Sequence, residues 1–272
     1  MSKKFIFLTL SSFIVCNLSL AADHQPGFIV TQSLNYKNKV DLSEFGVPYT
    51  PILYESSILP SVKSDQMVSD QELRTLLEQT PASKLPIVID IERWPAKFGD
   101  VGGNKSSLAK ATDVIQKLKS LKRDLKFGYY GVAPMQTYWP LVNPRQADQH
   151  QKWREYNELV KTDFAPFVDA IYPSLYTFYE DQNGWKTYAV ETLRHARKFN
   201  KPVYCFLWPK YHESNRRLKD SYIPADYWRM ELETCKANAD GMVIWNYEPK
   251  KEWDPNADWW KETLKFLKTL NQ

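Results

Sequence analysis

The sequence lacks the features by which several large protein classes are recognised. No glycine-rich phosphate-binding fingerprint follows any predicted strand, and Gly102-Gly103-Asn104-Lys105 does not have the P-loop spacing. A formal net charge of only +4 gives no reason to expect a nucleic-acid partner. We therefore expect no cofactor and no nucleic acid. We also expect no metal, because the histidines lack the spacing of metal ligands: His24, His150, His195 and His212.

An apolar run near the N-terminus has the form of a targeting segment. It begins after two lysines, is apolar from Phe5 to Leu20 and ends in Ala21 and Ala22. That order is typical of a secretory signal peptide, and the run is shorter than the roughly 20 apolar residues of a membrane anchor. We predict a signal peptide over residues 1–22, a secreted or periplasmic protein, and no membrane span after cleavage. No linker or repeat divides residues 23–272, which we predict to form one domain.

Short β-rich runs alternate with longer amphipathic stretches along the chain. This alternation predicts parallel strands joined by crossover helices. Several runs are almost continuously apolar, as in strands that are covered on both faces. We predict seven strands, near residues 28–33, 51–55, 86–92, 126–131, 170–176, 202–208 and 241–246.

The intervening segments carry helix signals. Ser69-Asp70-Gln71-Glu72 has the capping-box pattern and predicts a helix start. Apolar residues recur at helical spacing over 105–122, and Pro224 suits the first turn of a helix that runs to about Asn238.

Seven strand–helix units predict an α/β fold, a TIM-type (β/α) barrel that is distorted because it has about seven strands. An open doubly wound sheet is the alternative, although its nucleotide-binding version is disfavoured by the missing fingerprint. In both architectures the functional surface lies at the C-terminal ends of the strands.

The third predicted strand ends in two carboxylates. Side chains alternate along a strand, so Asp90 and Glu92 share one face. Each charge opposes ionisation of the other, which raises one pKa towards the value that a general acid needs. The alternative is a structural ion pair, for instance with Arg93. Three isoleucines occupy the other face of this strand: Ile87, Ile89 and Ile91.

Aromatic residues with polar edges accompany the other predicted strand ends. Such side chains suit the apolar faces and hydroxyl rims of sugars, and for any single one of them ordinary barrel packing is the alternative. Candidate substrate-binding residues are Tyr130, Trp208, Tyr211, Trp245 and Asn246.

These motifs, taken in order, resemble the animal and venom type of hyaluronidases, a family of glycoside hydrolases whose barrel is also distorted. Residues 89–95, Ile-Asp-Ile-Glu-Arg-Trp-Pro, are similar to that family's catalytic strand. The match continues over most of the chain, at residues 128–131 (Gly-Tyr-Tyr-Gly), 172–176 (Tyr-Pro-Ser-Leu-Tyr), 202–204 (Pro-Val-Tyr) and 241–245 (Gly-Met-Val-Ile-Trp).

The resemblance implies a mechanism. Glu92 protonates the leaving glycosidic oxygen, the substrate's own N-acetyl carbonyl attacks the anomeric carbon, and Asp90 orients that amide. By position, Tyr176 hydrogen-bonds near the N-acetyl group and Trp245 walls its pocket. The resemblance thus implies an endo-acting N-acetylhexosaminidase that retains anomeric configuration and acts on a polysaccharide or oligosaccharide.

Two other functions stay open from the sequence. A non-catalytic polysaccharide-binding barrel keeps the aromatic groove without placing both acids for chemistry. An ordinary two-carboxylate glycosidase takes its second acid from another strand end, for which the candidates are Glu55, Glu180 and Glu248.

Only Cys205 and Cys235 remain after removal of the signal peptide. An oxidising compartment lets them pair if the fold brings them together, and two buried thiols are the alternative. The implied mechanism needs neither thiol.

Overall fold

The computed structural model describes residues 27–270, so the predicted signal peptide lies outside the described residues. Each predicted strand is confirmed, but the first and the seventh are longer than expected and the other five are shorter. The third strand ends at Asp90, so Glu92 lies just beyond it instead of inside it as predicted. Within residues 27–270 the strands are β1 (Ile29–Lys37), β2 (Ile52–Tyr54), β3 (Ile87–Asp90), β4 (Phe127–Tyr130), β5 (Ala170–Tyr172), β6 (Tyr204–Leu207) and β7 (Gly241–Glu252).

Helices alternate with these strands. The predicted capping box is present, with the Ser69 amide donating to Glu72 Oε2 at 2.9 Å and the Glu72 amide donating to Ser69 Oγ at 3.3 Å. None of the helices in the described part of the chain is both long and apolar enough to cross a membrane. The helices are α1 (Glu55–Ile58), α2 (Asp70–Gln79), α3 (Val101–Leu121), α4 (Trp139–Val142), α5 (Ala147–Asp163), α6 (Gln182–Ala196), α7 (Ala225–Asn238) and α8 (Asp258–Lys268).

All strand ladders are parallel, and they form two sheets, β2-β3-β4-β5 and β6-β7-β1. The sheets meet at two seams, β1 with β2 and β5 with β6, where the ladder is interrupted. Isolated bridges cross these seams: Gln32 with Tyr49, Ile171 with Val203, and Ser174 with Phe206. The strands therefore form the predicted distorted (β/α) barrel, with neither seam closed by a continuous ladder.

The alternation predicted for the third strand separates two apolar layers. Val88 packs inside the barrel, while the three isoleucines of this strand pack in the layer between barrel and helices. Tyr172 fills the barrel interior, and a Cβ at Gly128 would lie 2.4 Å from its ring. Glycine at position 128 thus leaves the space that the tyrosine needs.

A disulfide fastens a helix to the barrel. Cys205 on β6 and Cys235 on α7 are bonded, with their Cα atoms 6.2 Å apart. Both residues are fully buried. The structure thus decides between the two alternatives in favour of pairing.

Candidate active site

Asp90 and Glu92 stand at the C-terminal end of β3, at the mouth of the barrel. Asp90 is partly buried, and its Oδ1 atom is buried without a hydrogen-bond partner among the described residues. Glu92, two residues further on, is exposed. The pair therefore combines one shielded carboxyl group with one that faces solvent.

Arg93 does not neutralise this pair. Its Nη2 atom contacts Glu55 Oε1 at 2.8 Å, and its Nη1 atom donates to the backbone carbonyls of Ser61 and Ser64 at 2.9 and 2.8 Å. Within residues 27–270, neither Asp90 nor Glu92 forms an ion pair. The structural ion pair with Arg93, which was the alternative to catalysis, is formed by Glu55 instead.

Both carboxyl groups hold their protons more tightly than usual. Burial raises the pKa of Asp90 to about 7, and the charges of Glu92 and Glu55 contribute to that rise. Desolvation also raises the pKa of Glu92, and the charges of Glu55 and Glu213 raise it further. The pair can therefore carry a proton near neutral pH, as a general acid requires.

Two clefts open beside Glu92. The first has a volume of about 250 Å³ and is lined by Glu92, Trp94, Tyr130 and Gln136, among others. The second, of about 370 Å³, also touches Glu92 and includes Asp90, Glu55 and Tyr54. Glu92 thus stands between two spaces that are open to a ligand.

Three predicted aromatic residues at neighbouring strand ends pack against one another and are called the aromatic wall below: Tyr176, Trp208 and Trp245. Their ring centroids lie 5.4–5.8 Å apart, and Tyr176 stacks on Trp245 with 24° between the planes. Burial raises the pKa of Tyr176, and the charges of Tyr130, Asp90 and Glu92 raise it further. Tyr176 therefore lies within electrostatic reach of both carboxyl groups.

Tyr130 joins the carboxylate side to the aromatic wall. Its ring lies 5.8 Å from that of Tyr176, and its hydroxyl lies 3.0 Å from Ser174 Oγ. Gln136 Nε2 donates to the same Ser174 oxygen at 2.7 Å. Tyr130 also lines the first cleft together with Glu92, so the structure brings this predicted residue into the site.

Two other predicted residues do not line this space. Tyr211 is only 4% exposed and lies between barrel and helices, with its ring 6.5 Å from Tyr227 on α7. Asn246 is 1% exposed and accepts a hydrogen bond from Trp208 Nε1 at 2.9 Å. Asn246 therefore supports the aromatic wall from behind instead of facing a ligand.

The other candidate acids are engaged elsewhere. Glu248 pairs with the buried Lys210, with Nζ and Oε1 2.7 Å apart, and Glu180 pairs with Arg217. Although burial raises the pKa of Glu248, hydrogen bonds from Lys210 and Asn246 lower it below its usual value. Of the three candidates, Glu55 lies beside the β3 carboxylates, and it is the partner of Arg93.

Two residues near the site carry no sequence signal that singles them out. Tyr54 pairs with Asp90 in the β2–β3 ladder, and its hydroxyl accepts a hydrogen bond from Trp245 Nε1 at 3.2 Å. His212, after β6, has its ring centroid 6.1 Å from that of Tyr176. Their places follow from strand register and loop path, which a residue pattern does not encode.

Comparison with known proteins finds similar structures but no similar sequences. No family model matches the chain, and no curated protein matches it. A monoclinic crystal structure of bee venom hyaluronidase is similar with a TM-score of 0.56 at 16% identity, over 90% of this chain and 97% of that chain. This likeness shows that the chain has a (β/α)-barrel fold. Bee venom hyaluronidase in complex with a hyaluronic acid tetramer is also similar, with a TM-score of 0.53 at 15% identity over 89% and 96% of the two chains.

Proposed function

We propose that this chain is a glycoside hydrolase that cleaves an N-acetylhexosamine-containing polysaccharide by substrate-assisted, retaining hydrolysis. The observation that carries the proposal is the carboxylate pair of β3. Asp90 ends β3 and Glu92 follows two residues later, both have raised pKa values, and the charges of both act on Tyr176 of the aromatic wall. Unpaired carboxyl groups in a cleft are costly to folding and are characteristic of sites where a proton is transferred.

Glu92 is suited to be the acid because it is exposed between the two clefts. In the first step it gives its proton to the glycosidic oxygen as the bond to the anomeric carbon breaks. The carbonyl oxygen of the substrate's N-acetyl group forms a bond to that carbon from the other face, giving a cyclic intermediate. In the second step Glu92 takes a proton from water, the water oxygen attacks the same carbon, and the acetamido group is restored.

Asp90 is suited to orient the acetamido group. It accepts a hydrogen bond from the amide N–H, which holds the carbonyl oxygen towards the anomeric carbon. Positive charge develops on that amide in the intermediate and favours the ionised form of Asp90. With a pKa of about 7, Asp90 is ionised in part of the molecules at neutral pH, and the ionised form both accepts this hydrogen bond and balances the positive charge.

An ordinary two-carboxylate mechanism needs an acid on the opposite side of the sugar. Asp90 and Glu55 do not meet this need, because β2 and β3 are neighbouring strands and both residues lie on the side of Glu92. Glu213, which follows β6, is exposed, and its charge raises the pKa of Glu92. Glu213 is therefore the carboxylate on which this alternative would depend.

The first test measures new reducing ends released from hyaluronan, chondroitin, chitin oligosaccharides and poly-N-acetylglucosamine. We expect Glu92→Gln to lower turnover at least about a hundredfold without loss of thermal stability, since an amide cannot supply the proton. Glu213→Gln is the matched control, and we expect it to stay within about threefold of the unsubstituted protein. A large loss in Glu213→Gln instead favours the two-carboxylate mechanism.

The second test follows the cleaved substrate by NMR. Substrate assistance requires retention of anomeric configuration and an N-acetyl group on the sugar at the scissile bond. De-N-acetylated chains should therefore bind without being cleaved. An inverted product, or equal cleavage of both chains, contradicts the mechanism, and binding of all four polymers without cleavage of any leaves a polysaccharide-binding barrel.

A further inference from the structure

Two exposed aromatic side chains stand on the carboxylate end of the barrel but outside both clefts. Trp139 follows β4 and Tyr179 follows β5, and they are 48% and 37% exposed. Because the C-terminal ends of parallel strands meet at one end of the barrel, both residues lie on the face that holds Glu92.

Trp139 and Tyr179 are held in place by each other and by a buried ring beneath them. Trp139 Nε1 donates to the Tyr179 hydroxyl at 2.9 Å, and the ring centroids are 5.0 Å apart. Tyr138 is buried beneath them, with its ring 5.2 Å from Trp139 and 4.8 Å from Tyr179. A ligand that lands on the pair therefore meets rings that are already ordered, which lowers the entropic cost of binding.

The pair is continuous with the site. Phe178, next to Tyr179, has its ring 5.0 Å from His212, and His212 lies 6.1 Å from Tyr176 of the aromatic wall. On the other side, Gln136 lines the first cleft together with Glu92 and precedes Tyr138 by two positions. A chain that leaves the first cleft along this rim passes over Trp139 and Tyr179.

The size and chemistry of the pair favour a sugar over a protein. A stable protein interface buries about 800 Å² on each partner, far more than two rings present. The exposed surface consists of aromatic faces with neutral polar edges, which suits the apolar face and hydroxyl rim of a sugar ring. Of the two acids that follow Tyr179, Glu180 is paired with Arg217, and Asp181 accepts a hydrogen bond from the Gly184 amide at 2.9 Å at the start of α6.

We propose that Trp139 and Tyr179 form a distal subsite that stacks on a further sugar unit of the same polysaccharide chain that occupies the carboxylate clefts. This inference rests on the proposed function, because it takes the same chain as its ligand. It assigns the pair to chain-length selection, so long oligosaccharides gain affinity at the subsite and short ones do not reach it.

The test measures dissociation constants by calorimetry in the Glu92→Gln background, where turnover does not interfere. The probes are chitin dimers and hexamers, and hyaluronan tetramers and decamers. Adding Trp139→Ala should weaken binding of the longer probe by about fivefold, the equivalent of about 1 kcal/mol for an aromatic contact, and leave the shorter probe within about 1.5-fold. Tyr179→Phe, which keeps the ring and removes the acceptor, should weaken the longer probe by about twofold.

Phe45→Ala is the matched control. Phe45 is 44% exposed, packs on Trp260 and lines a cleft with Phe28 and Ile29 at the opposite end of the barrel. Phe45→Ala should leave the dissociation constants of both the short and the long probes unchanged. Equal weakening of short and long probes by Trp139→Ala, or no length dependence before substitution, overturns the subsite. If the protein with Glu92 intact cleaves none of the probes, while length-dependent binding in Glu92→Gln is lost on adding Trp139→Ala, the hydrolase is overturned and the subsite is retained.

Discussion

β3 and β7 both carry a partly buried carboxyl group, and the surroundings of the two groups are opposite in kind. Glu248 on β7 receives Lys210 Nζ at 2.7 Å and Asn246 Nδ2 at 2.9 Å. Asp90 on β3 receives no hydrogen bond at its buried oxygen from the described residues and has two other acids nearby. The pKa of Glu248 is accordingly lowered, and that of Asp90 is raised.

The difference separates a region that stabilises the fold from one that costs stability. A buried carboxylate with a counterion and an amide donor holds its neighbours in place, and here it fixes Asn246 and through it Trp208. A buried carboxyl group without a counterion destabilises the folded state at neutral pH, and a protein retains one where its proton is used. The predictions below ask whether stability and chemistry can be changed separately in the two regions.

The largest stability effect is expected at the disulfide of β6. Cys205 and Cys235 close a loop of 30 residues, so removing the bond should lower the free energy of unfolding by about 3.5 kcal/mol. The double variant Cys205→Ala/Cys235→Ala avoids burying two hydroxyl groups. Denaturant unfolding measures the loss, and hydrolysis at 25 °C should be unchanged. A tenfold loss of activity at unchanged stability contradicts the division between the regions.

Lys210→Met is expected to lower the free energy of unfolding by about 3 kcal/mol, because it leaves Glu248 without its closest counterion. The nearby Lys251, 3.7 Å from Glu248, keeps the loss from being larger. Adding Glu248→Gln should restore most of the lost free energy of unfolding, since the buried carboxylate that had lost its counterion is then neutral. Thermal unfolding of the two variants gives the comparison, and failure of the second substitution to rescue argues that Lys210 acts through packing alone.

Asp90→Asn should act in the opposite direction and raise stability while lowering turnover. The folded carboxyl group keeps its proton up to about pH 7 whereas the unfolded one loses it near pH 3.8, so folding stability declines between those values and then stays level. Asparagine removes this decline. The variant should match the unsubstituted protein at pH 4 and exceed it by about 2 kcal/mol at pH 8, a gain reduced because Asp90 is only partly buried. A difference that does not change with pH contradicts the raised pKa.

Much of the fold follows from local patterns in the sequence. The period of two along residues 87–91 places the isoleucines outside the barrel and Val88 inside, and Ser69 with Glu72 predicts the start of α2. The predicted end of the helix at Asn238 is also confirmed. Pro224, expected in the first turn, occupies the position just before it. Each of these features depends on residues that are close together in the chain.

The arrangement of the site depends on contacts between distant strands. Lys210 and Glu248 are an ordinary basic and an ordinary acidic residue in the sequence, and only the β6–β7 alignment makes them a pair. Tyr211 follows a strand end as the other aromatic residues do, but its bridge to Thr177 places it in the layer under α7. Such contacts are set by the stagger of neighbouring strands around the barrel, and the residue pattern of a single strand does not predict that stagger.

The two interrupted seams divide the barrel into halves that carry different parts of the site. Asp90 and Glu92 belong to the half formed by β2 to β5, whereas Trp208 and Trp245 belong to the half formed by β6, β7 and β1. The hydrogen bond from Trp245 to Tyr54 already crosses one seam. Under the proposed function, a sugar bound between Glu92 and Trp245 contacts both halves of the barrel at once. Bound substrate would then connect the two halves at the seams, where the backbone forms no continuous ladder of hydrogen bonds.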